Sequence, residues 1–347
     1  MRQMSMTRQI SDRFSLARVT RKQCRSTAFS LLLIVLPVVQ LSAQQVSKQV
    51  YDVPVVLSQI DTHTYISDFD YSNSNPNASA LERTRYSVIE EKELVQNLGA
   101  DNFQLRVGGM PADFQAISVD KGPKRINLTL DASVRVSKQQ WEWELGGVER
   151  ILGNARSIDK FAFALAGAGP ATSTFMSLGE SRKYLRSLRT ARPATVVSEA
   201  KVYDALLTAA KGLDPPQFGD AVIFFGLGKD SGSEATVADL EHLFLKGRIR
   251  FYGLTFLPGD VYKPDAILPF FPDPGLVSLS EATGCNFWVT STGVDYGFWY
   301  RSISEPYRLS VTSTTVIEAS LEITLLSGRK KRKLSGITIQ YPRFITP

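Results

Sequence analysis

Apolar positions follow three successive rhythms along this chain, and the changes between them predict its layout. Through residue 122 the signals are those of strands. Residues 51–57 alternate weakly between apolar and polar, and 103–107, Gly108-Gly109 and 114–119 predict a β-hairpin. Residues 71–80 are rich in Asn and Ser around Pro76, which predicts an exposed loop. From Lys124 strands and helices alternate. Residues 126–130, 161–165, 222–225, 249–256 and 287–289 predict strands. Between them, Trp141, Leu145, Val148, Ile151 and Leu152 recur at helical spacing, as do Val202, Leu206, Leu207, Ala210 and Leu213. Shorter helices are predicted around Tyr184-Leu185-Leu188, around Leu240-Leu243-Phe244 and over 276–282. Val222-Ile-Phe-Phe has no polar alternation, so both its faces are expected to be buried. This order predicts a parallel sheet covered by helices on both faces. From Tyr307 strands return, over 307–311, 319–326 and 334–341, with 328–333 as the turn of the last pair. Each flank is too short to bury a core alone. The two are expected to form one small β-sandwich into which the α/β domain is inserted. The segments are then 1–43, 44–122, 123–305 and 306–347.

Composition places the 347 residues among ordinary globular chains, with 43% hydrophobic and 21% charged. The first segment stands apart. Arg2, Arg8, Arg13, Arg18, Arg21, Lys22 and Arg25 precede an apolar run over 28–39, and Leu41-Ser42-Ala43 offers small residues for cleavage. This is the pattern of a secretory signal peptide, with an uncleaved anchor as the alternative. The run is shorter than the roughly 20 residues that cross a bilayer. The segment holds seven of the 40 basic residues and one of the 34 acidic ones, so 33 of each remain. The formal +6 therefore belongs to the leader, and a nucleic-acid partner loses its support. An exported bacterial protein is expected, periplasmic or secreted, with no membrane span after cleavage. Cys24 lies in the leader without a lipobox. Cys285 then stands alone and cannot form an internal disulfide; a buried small hydrophobe and a reactive thiol are its two readings. Asn77-Ala-Ser and Asn127-Leu-Thr match the glycosylation sequon, the second inside a predicted strand.

The chemistry concentrates at Asp131 and Ser133. They close the first predicted strand of the α/β segment, where open sheets of this kind bind ligands. A carboxylate with a hydroxyl two residues on is the start of a hard-cation site. Several stretches carry a family resemblance: Leu98-Gly-Ala-Asp-Asn-Phe-Gln-Leu, Leu130-Asp-Ala-Ser, Val202-Tyr-Asp-Ala-Leu, Val222-Ile-Phe-Phe-Gly-Leu-Gly, Ala282-Thr-Gly, Tyr307-Arg-Leu and Tyr341-Pro-Arg. With this order of elements they resemble von Willebrand factor A domains, and more narrowly the exported acidobacterial-type VWFA-related family. The resemblance implies a Rossmann-like α/β fold, a metal-ion-dependent adhesion site and a protein or matrix-type partner. It also implies five cation ligands, and only Asp131 and Ser133 are in place. Arg135 stands where the family has a second serine, Ala200 where it has a threonine and Leu227 where it has an aspartate. Magnesium takes six oxygens in a tight octahedron, so no cofactor is expected and magnesium or calcium is disfavoured. Ser137 and Asp230 are the nearby residues that could substitute. Arg135 is expected to replace the cation by pairing with Asp131. Ala200, Lys201, Leu227, Lys229 and Asp230 are the candidate binding surface.

Other motifs are weaker. His63 follows Asp61-Thr and His242 lies among Leu240, Leu243 and Phe244; neither has the company of a metal site. The glycine-rich stretches at 167–172 and 226–232 miss the phosphate-binding spacings, and no nucleophile elbow appears. No enzyme is expected. Arg329, Lys330, Lys331, Arg332 and Lys333 form the densest charge after the leader. They are either a solvated hairpin tip that discourages edge pairing or a contact for an anionic surface. The proline-rich, aromatic stretch 258–274 is either a binding lip or a packed loop. The function expected is an exported adhesion-type binding module, with a structural subunit of an envelope assembly as the alternative.

Overall fold

The computed structural model describes residues 49–60, 65–66, 88–89, 92–133, 135–167, 174–190, 199–256, 272–290, 294–313, 319–327, 332–333 and 337–345. Residues 1–43, His63, Asn77, the stretch 258–271 and the basic residues 329–331 lie outside them.

The strands, in chain order, are β1 (Gln49–Ile60), β2 (Tyr65–Ile66), β3 (Val88–Ile89), β4 (Lys92–Leu94), β5 (Phe103–Val107), β6 (Met110–Ala112), β7 (Phe114–Val119), β8 (Arg125–Asp131), β9 (Lys160–Ala166), β10 (Ala221–Phe225), β11 (Arg250–Phe256), β12 (Phe287–Thr290), β13 (Tyr307–Ser313), β14 (Ala319–Ser327), β15 (Arg332–Lys333), β16 (Ile337–Gln340) and β17 (Phe344–Ile345). The helices are α1 (Lys138–Asn154), α2 (Leu178–Thr190), α3 (Val202–Lys211), α4 (Val237–Gly247), α5 (Pro274–Ala282) and α6 (Tyr296–Ser304).

A parallel sheet runs β12-β11-β10-β8-β9. Beyond β9, Met176 exchanges backbone hydrogen bonds with Phe161 in an antiparallel bridge. The sheet is therefore parallel with a vestigial antiparallel edge. Alternation along β8 sends Ile126, Leu128 and Leu130 to one face, where α1, α2 and α6 cover them with Trp141, Leu145, Leu185 and Trp299. On the other face α3, α4 and α5 pack Val202, Leu206, Leu240, Phe244 and Leu276 against Val222 and Phe224. A five-residue strand buried on both sides needs no polar alternation. Helix α2 is longer than its three apolar positions predict, and α6 was not predicted. The aromatic run Tyr296-Gly-Phe-Trp-Tyr masks α6, although Asp295 caps it by accepting from the Phe298 N–H at 2.9 Å.

The flanks form two antiparallel sheets around one further core. One sheet runs β16-β1-β13-β7 and the other β15-β14-β5-β6. Val53, Val55, Leu57, Leu309 and Val311 meet Phe103, Leu105, Val107, Leu321, Ile323 and Leu325 between them. The predicted hairpin is corrected here. β5 turns at Gly108-Gly109 into β6, while β7 crosses to pair with β13 in the opposite sheet. The basic turn is also shorter than predicted: Arg332 and Lys333 pair with Ser327 and Leu326 as strand residues. Gly284 shows how the sandwich meets the α/β domain. A Cβ there would lie 2.1 Å from the Tyr341 carbonyl carbon and 2.5 Å from the Pro342 nitrogen. The Arg343 N–H donates to the Ala282 carbonyl at 2.9 Å.

The amino ends of the parallel strands carry buried ions. Arg125 grips Asp220 with two bonds of 3.0 and 2.6 Å. Asp159, fully buried, accepts from Arg156, from the Lys124 N–H and from the Tyr300 hydroxyl. Lys124 Nζ lies 2.5 Å from Asp120. Arg250 donates to the carbonyls of Ser302 and Ile303 at the end of α6.

Candidate functional site

From β8 the chain moves to β9 on one side and then returns to β10 on the other. The two departures leave a crevice between the carboxyl ends of β8 and β10. Asp131 is the last residue of β8 and is 1% exposed. Two glycines let neighbouring loops close on it. A Cβ on Gly226, just after β10, would come within 2.5 Å of the Asp131 Cβ. Gly167, just after β9, has φ +80, and a Cβ there would come within 2.9 Å of the Ser133 Cα. The Ala132 N–H fixes this turn on the Ala166 carbonyl at 2.9 Å.

Asp131 is satisfied from within the loops. Its Oδ1 accepts from the Ser133 N–H at 3.1 Å. The Leu227 N–H and the Ser133 hydroxyl lie near enough to favour its charged form. Burial raises its pKa above the usual carboxylate range; those three donors oppose the shift, and the charge of Arg135 opposes it least. The expected Asp131–Arg135 pair is corrected. Arg135 is exposed and forms no ion pair among the described residues. It acts on Asp131 only through space, as the smallest of the influences on its pKa.

The remaining candidates form a different structure. Asp230 accepts from the Tyr203 N–H at 3.1 Å and from the Ser233 hydroxyl at 2.6 Å. Ser231 Oγ accepts from the Ala200 N–H, and Ser233 Oγ from the Asp204 N–H. In return Asp204 accepts from the N–H groups of Glu234 and Ala235. The loop after β10 thus caps the amino end of α3, and Asp204 holds that loop in place. Lys201, at φ 47 and ψ 45, makes the sharp entry to the helix, and its N–H donates to the Ser231 carbonyl. Ser137 is likewise engaged, capping α1 by accepting from the Gln140 N–H at 3.0 Å. Leu227 packs half-buried against the core under α1, and Lys229 is half-buried beside it in the chain.

The test of a magnesium site is therefore one of donors. Of the implied ligand positions, Asp131 and Ser133 carry side-chain oxygens, while Arg135, Ala200 and Leu227 carry none. The two substitutes are committed to helix caps. No group of three or more His, Cys, Asp or Glu side chains arranged for a metal occurs among the described residues. The donor set does not fit an octahedral cation.

Sequence reasoning missed an apolar shoulder at this end of the sheet. Trp143 on α1 is half-buried, with its ring centroid 6.4 Å from that of Phe256, the last residue of β11. Helical spacing assigns Trp141 to the core and is silent on Trp143, two residues on; only the end position of Phe256 could have signalled the pair. It also missed Gln140 and Glu144, buried on the first turns of α1, where Gln140 Nε2 donates to Glu144 at 3.4 Å. Elsewhere, His242 is exposed on α4. Cys285 is buried, and burial pushes its thiol up to about 11, far from thiolate reactivity. Asn127 is 1% exposed, so the sequon there is closed to glycan addition in the folded chain.

No family model and no curated protein matches the chain. Solved structures do. One is an aerotolerance-related membrane protein from Bacteroides fragilis, 14% identical, covering 52% of this chain and 96% of that one at a TM-score of 0.38. Another is a von Willebrand factor type A protein from Catenulispora acidiphila, 9% identical, covering 72% and 74% at 0.41. A third is the conserved hypothetical protein BatB from Bacteroides thetaiotaomicron, 13% identical, covering 53% and 97% at 0.35. The strand order, the helices on both faces and the vestigial antiparallel edge make this a Rossmann-like α/β domain, the fold class expected from the sequence. No helix among the described residues is long and apolar enough to cross a membrane.

Proposed function

We propose that the chain is an exported binding module that contacts a protein partner through the carboxyl end of its parallel sheet without a bridging cation. The observation that supports this most is the state of Asp131. Its carboxyl is buried and accepts from the Ser133 N–H of its own loop, with the Leu227 N–H and the Ser133 hydroxyl close by. A bridging cation would have to compete with those donors, and beyond Asp131 and Ser133 the implied ligand positions supply no side-chain oxygen. The crevice is flanked by apolar and cationic side chains instead: Leu227, half-buried Trp143 and exposed Arg135. Such a face suits an acidic, partly apolar protein surface. Export rests on the leader at 1–43, and fold alone would not assign the role.

A photo-crosslinking amino acid at Arg135, with one at exposed Lys121 as the control from the opposite end, tests this in an envelope fraction. The expected result is a discrete adduct from position 135 that is unchanged by chelator and absent from position 121. Loss of the adduct on chelation would contradict metal independence. Equal crosslinking from both ends, with stable co-purification, would favour a subunit of an envelope assembly.

A further inference from the structure

The corner where β9 begins carries an apolar tip that the core does not use. Residues 156–159 make a tight turn, closed by the Asp159 N–H on the Arg156 carbonyl at 3.2 Å. Its third residue, Ile158, is 49% exposed, one of the few large apolar side chains so open among the described residues. Gly, Asn, Asp and Ser dominate turns for backbone reasons that isoleucine does not share. The tip is nonetheless braced. The Arg156 guanidinium donates to both oxygens of Asp159 and to the carbonyls of Lys121 and Gly122, at 3.0 and 2.8 Å for the carbonyls. The Arg156 N–H donates to the Tyr300 hydroxyl at 3.0 Å.

Lysines surround this tip. Lys160 follows the turn, Lys121 lies across the Arg156 bonds, and Lys183 on α2 shares the neighbourhood of Glu180 with Lys160. All three are exposed, and none forms an ion pair among the described residues. The nearby acids are engaged. Asp159 is held by Arg156 and Asp120 by Lys124. Glu180 accepts from the Ser177 N–H and hydroxyl at 2.8 and 2.7 Å. Those bonds, and then the two lysines, hold its carboxyl below the usual range. The imbalance runs along the helix: α2 has four cations against one acid, whereas α4 on the other face has two acids against one lysine. A chain that is neutral after its leader therefore gathers cations on this side.

We propose that this corner docks on an anionic phospholipid surface, with Ile158 entering at headgroup level and Lys121, Lys160 and Lys183 on the phosphates. A convex aliphatic tip ringed by lysines suits a soft interface. The lysine stems lie along the acyl boundary while their ammonium groups stay hydrated. A protein partner is met instead by a packed patch whose core is depleted of lysine. The corner lies at the opposite end of the sheet from the crevice at Asp131, so it stands or falls separately from the partner-binding reading.

Co-sedimentation with vesicles tests the proposal, using residues 44–347, which hold every described element and lack the basic leader. Uptake is expected on mixed phosphatidylglycerol and phosphatidylcholine vesicles, weakening with salt, and not on phosphatidylcholine alone. Replacing Lys121, Lys160 and Lys183 by Gln should lower the affinity about 100-fold, about 5-fold for each lysine. The same replacement at Lys138, Lys211 and Lys246, exposed elsewhere on the domain, removes equal charge and should leave it within about 2-fold. Ile158→Ser should lower it about 5-fold while keeping the salt dependence. All these positions are exposed, so thermal midpoints should match wild type. No uptake, equal uptake by neutral vesicles, equal losses in the two lysine sets, or an unchanged Ile158→Ser would overturn it. So would capture by immobilised polyglutamate without uptake by vesicles, which would assign the corner to an acidic protein.

Discussion

At the amino end of the parallel sheet Asp159 and Asp220 are buried with guanidinium groups against them; at the carboxyl end Asp131 is buried with only amide and hydroxyl donors in contact. Lys124, Arg125, Asp159, Asp220 and Arg250 each stand at or just before the start of a parallel strand. They tie strand starts to the loops and to α6, and a broken pair there would leave a buried charge unanswered. Asp131 has no such partner among the described residues, and burial favours its neutral form. One end of the sheet is locked by ions. The other, among the described residues, is a crevice whose buried acid accepts from the backbone of its own loop.

The contrast can be tested at its strongest point first. Asp159→Ala leaves the Arg156 charge, the Lys124 N–H and the Tyr300 hydroxyl without their acceptor. It should cost about 3–5 kcal/mol in urea unfolding. Gly226→Ala pushes a methyl group into Asp131, and should cost about 1–3 kcal/mol by overpacking while the amino end stays intact. A smaller, signed effect separates the two ends by pH. The native pKa of Asp131 lies above its unfolded value, so its contribution is fully present at low pH and is lost as pH rises through the native value. At Asp120, burial alone would raise the pKa, but the bonded Lys124 prevails and lowers it; its contribution is present above the unfolded value and is lost as pH falls through the native one. Asp131→Asn should therefore gain stability relative to wild type as pH rises from about 4 to about 8, and Asp120→Asn should lose it as pH rises from about 2 to about 4, with little change above that. Chemical melts across the two ranges check both signs. The smallest effect is at Arg135. Its exposure and lack of an ion pair predict a change within about 0.5 kcal/mol for Arg135→Ala.

Much of this was legible in the chain because periodicity reports burial. The strands at Ile126, Phe161, Val222 and Phe251 and the helices at Trp141 and Val202 were visible as apolar spacing, and Asp131 as the polar end of a buried run. The flanking strands predicted a shared core, which Val55, Leu309 and Ile323 form. What failed had a common cause. Arg135 was expected on Asp131 because it stands where the resemblance implies a ligand serine, but the donor in contact is a backbone N–H group, which every sequence carries and none displays. Asp230 resembled a spare ligand, but it caps α3 across 27 residues of separation. The ionic end was missed because Asp159, Asp220 and Arg250 look like surface charges one at a time. Their recurrence at strand starts was the available signal.

Titration calorimetry of the full chain with magnesium and with manganese bears most directly on the account, with Asp131→Asn alongside. Heats no greater than dilution, identical in both proteins up to millimolar ion, are predicted from a carboxyl held by its own loops. Tight, one-to-one uptake that vanishes in the variant would show that Asp131 holds a cation after all, and would contradict the reading of this crevice.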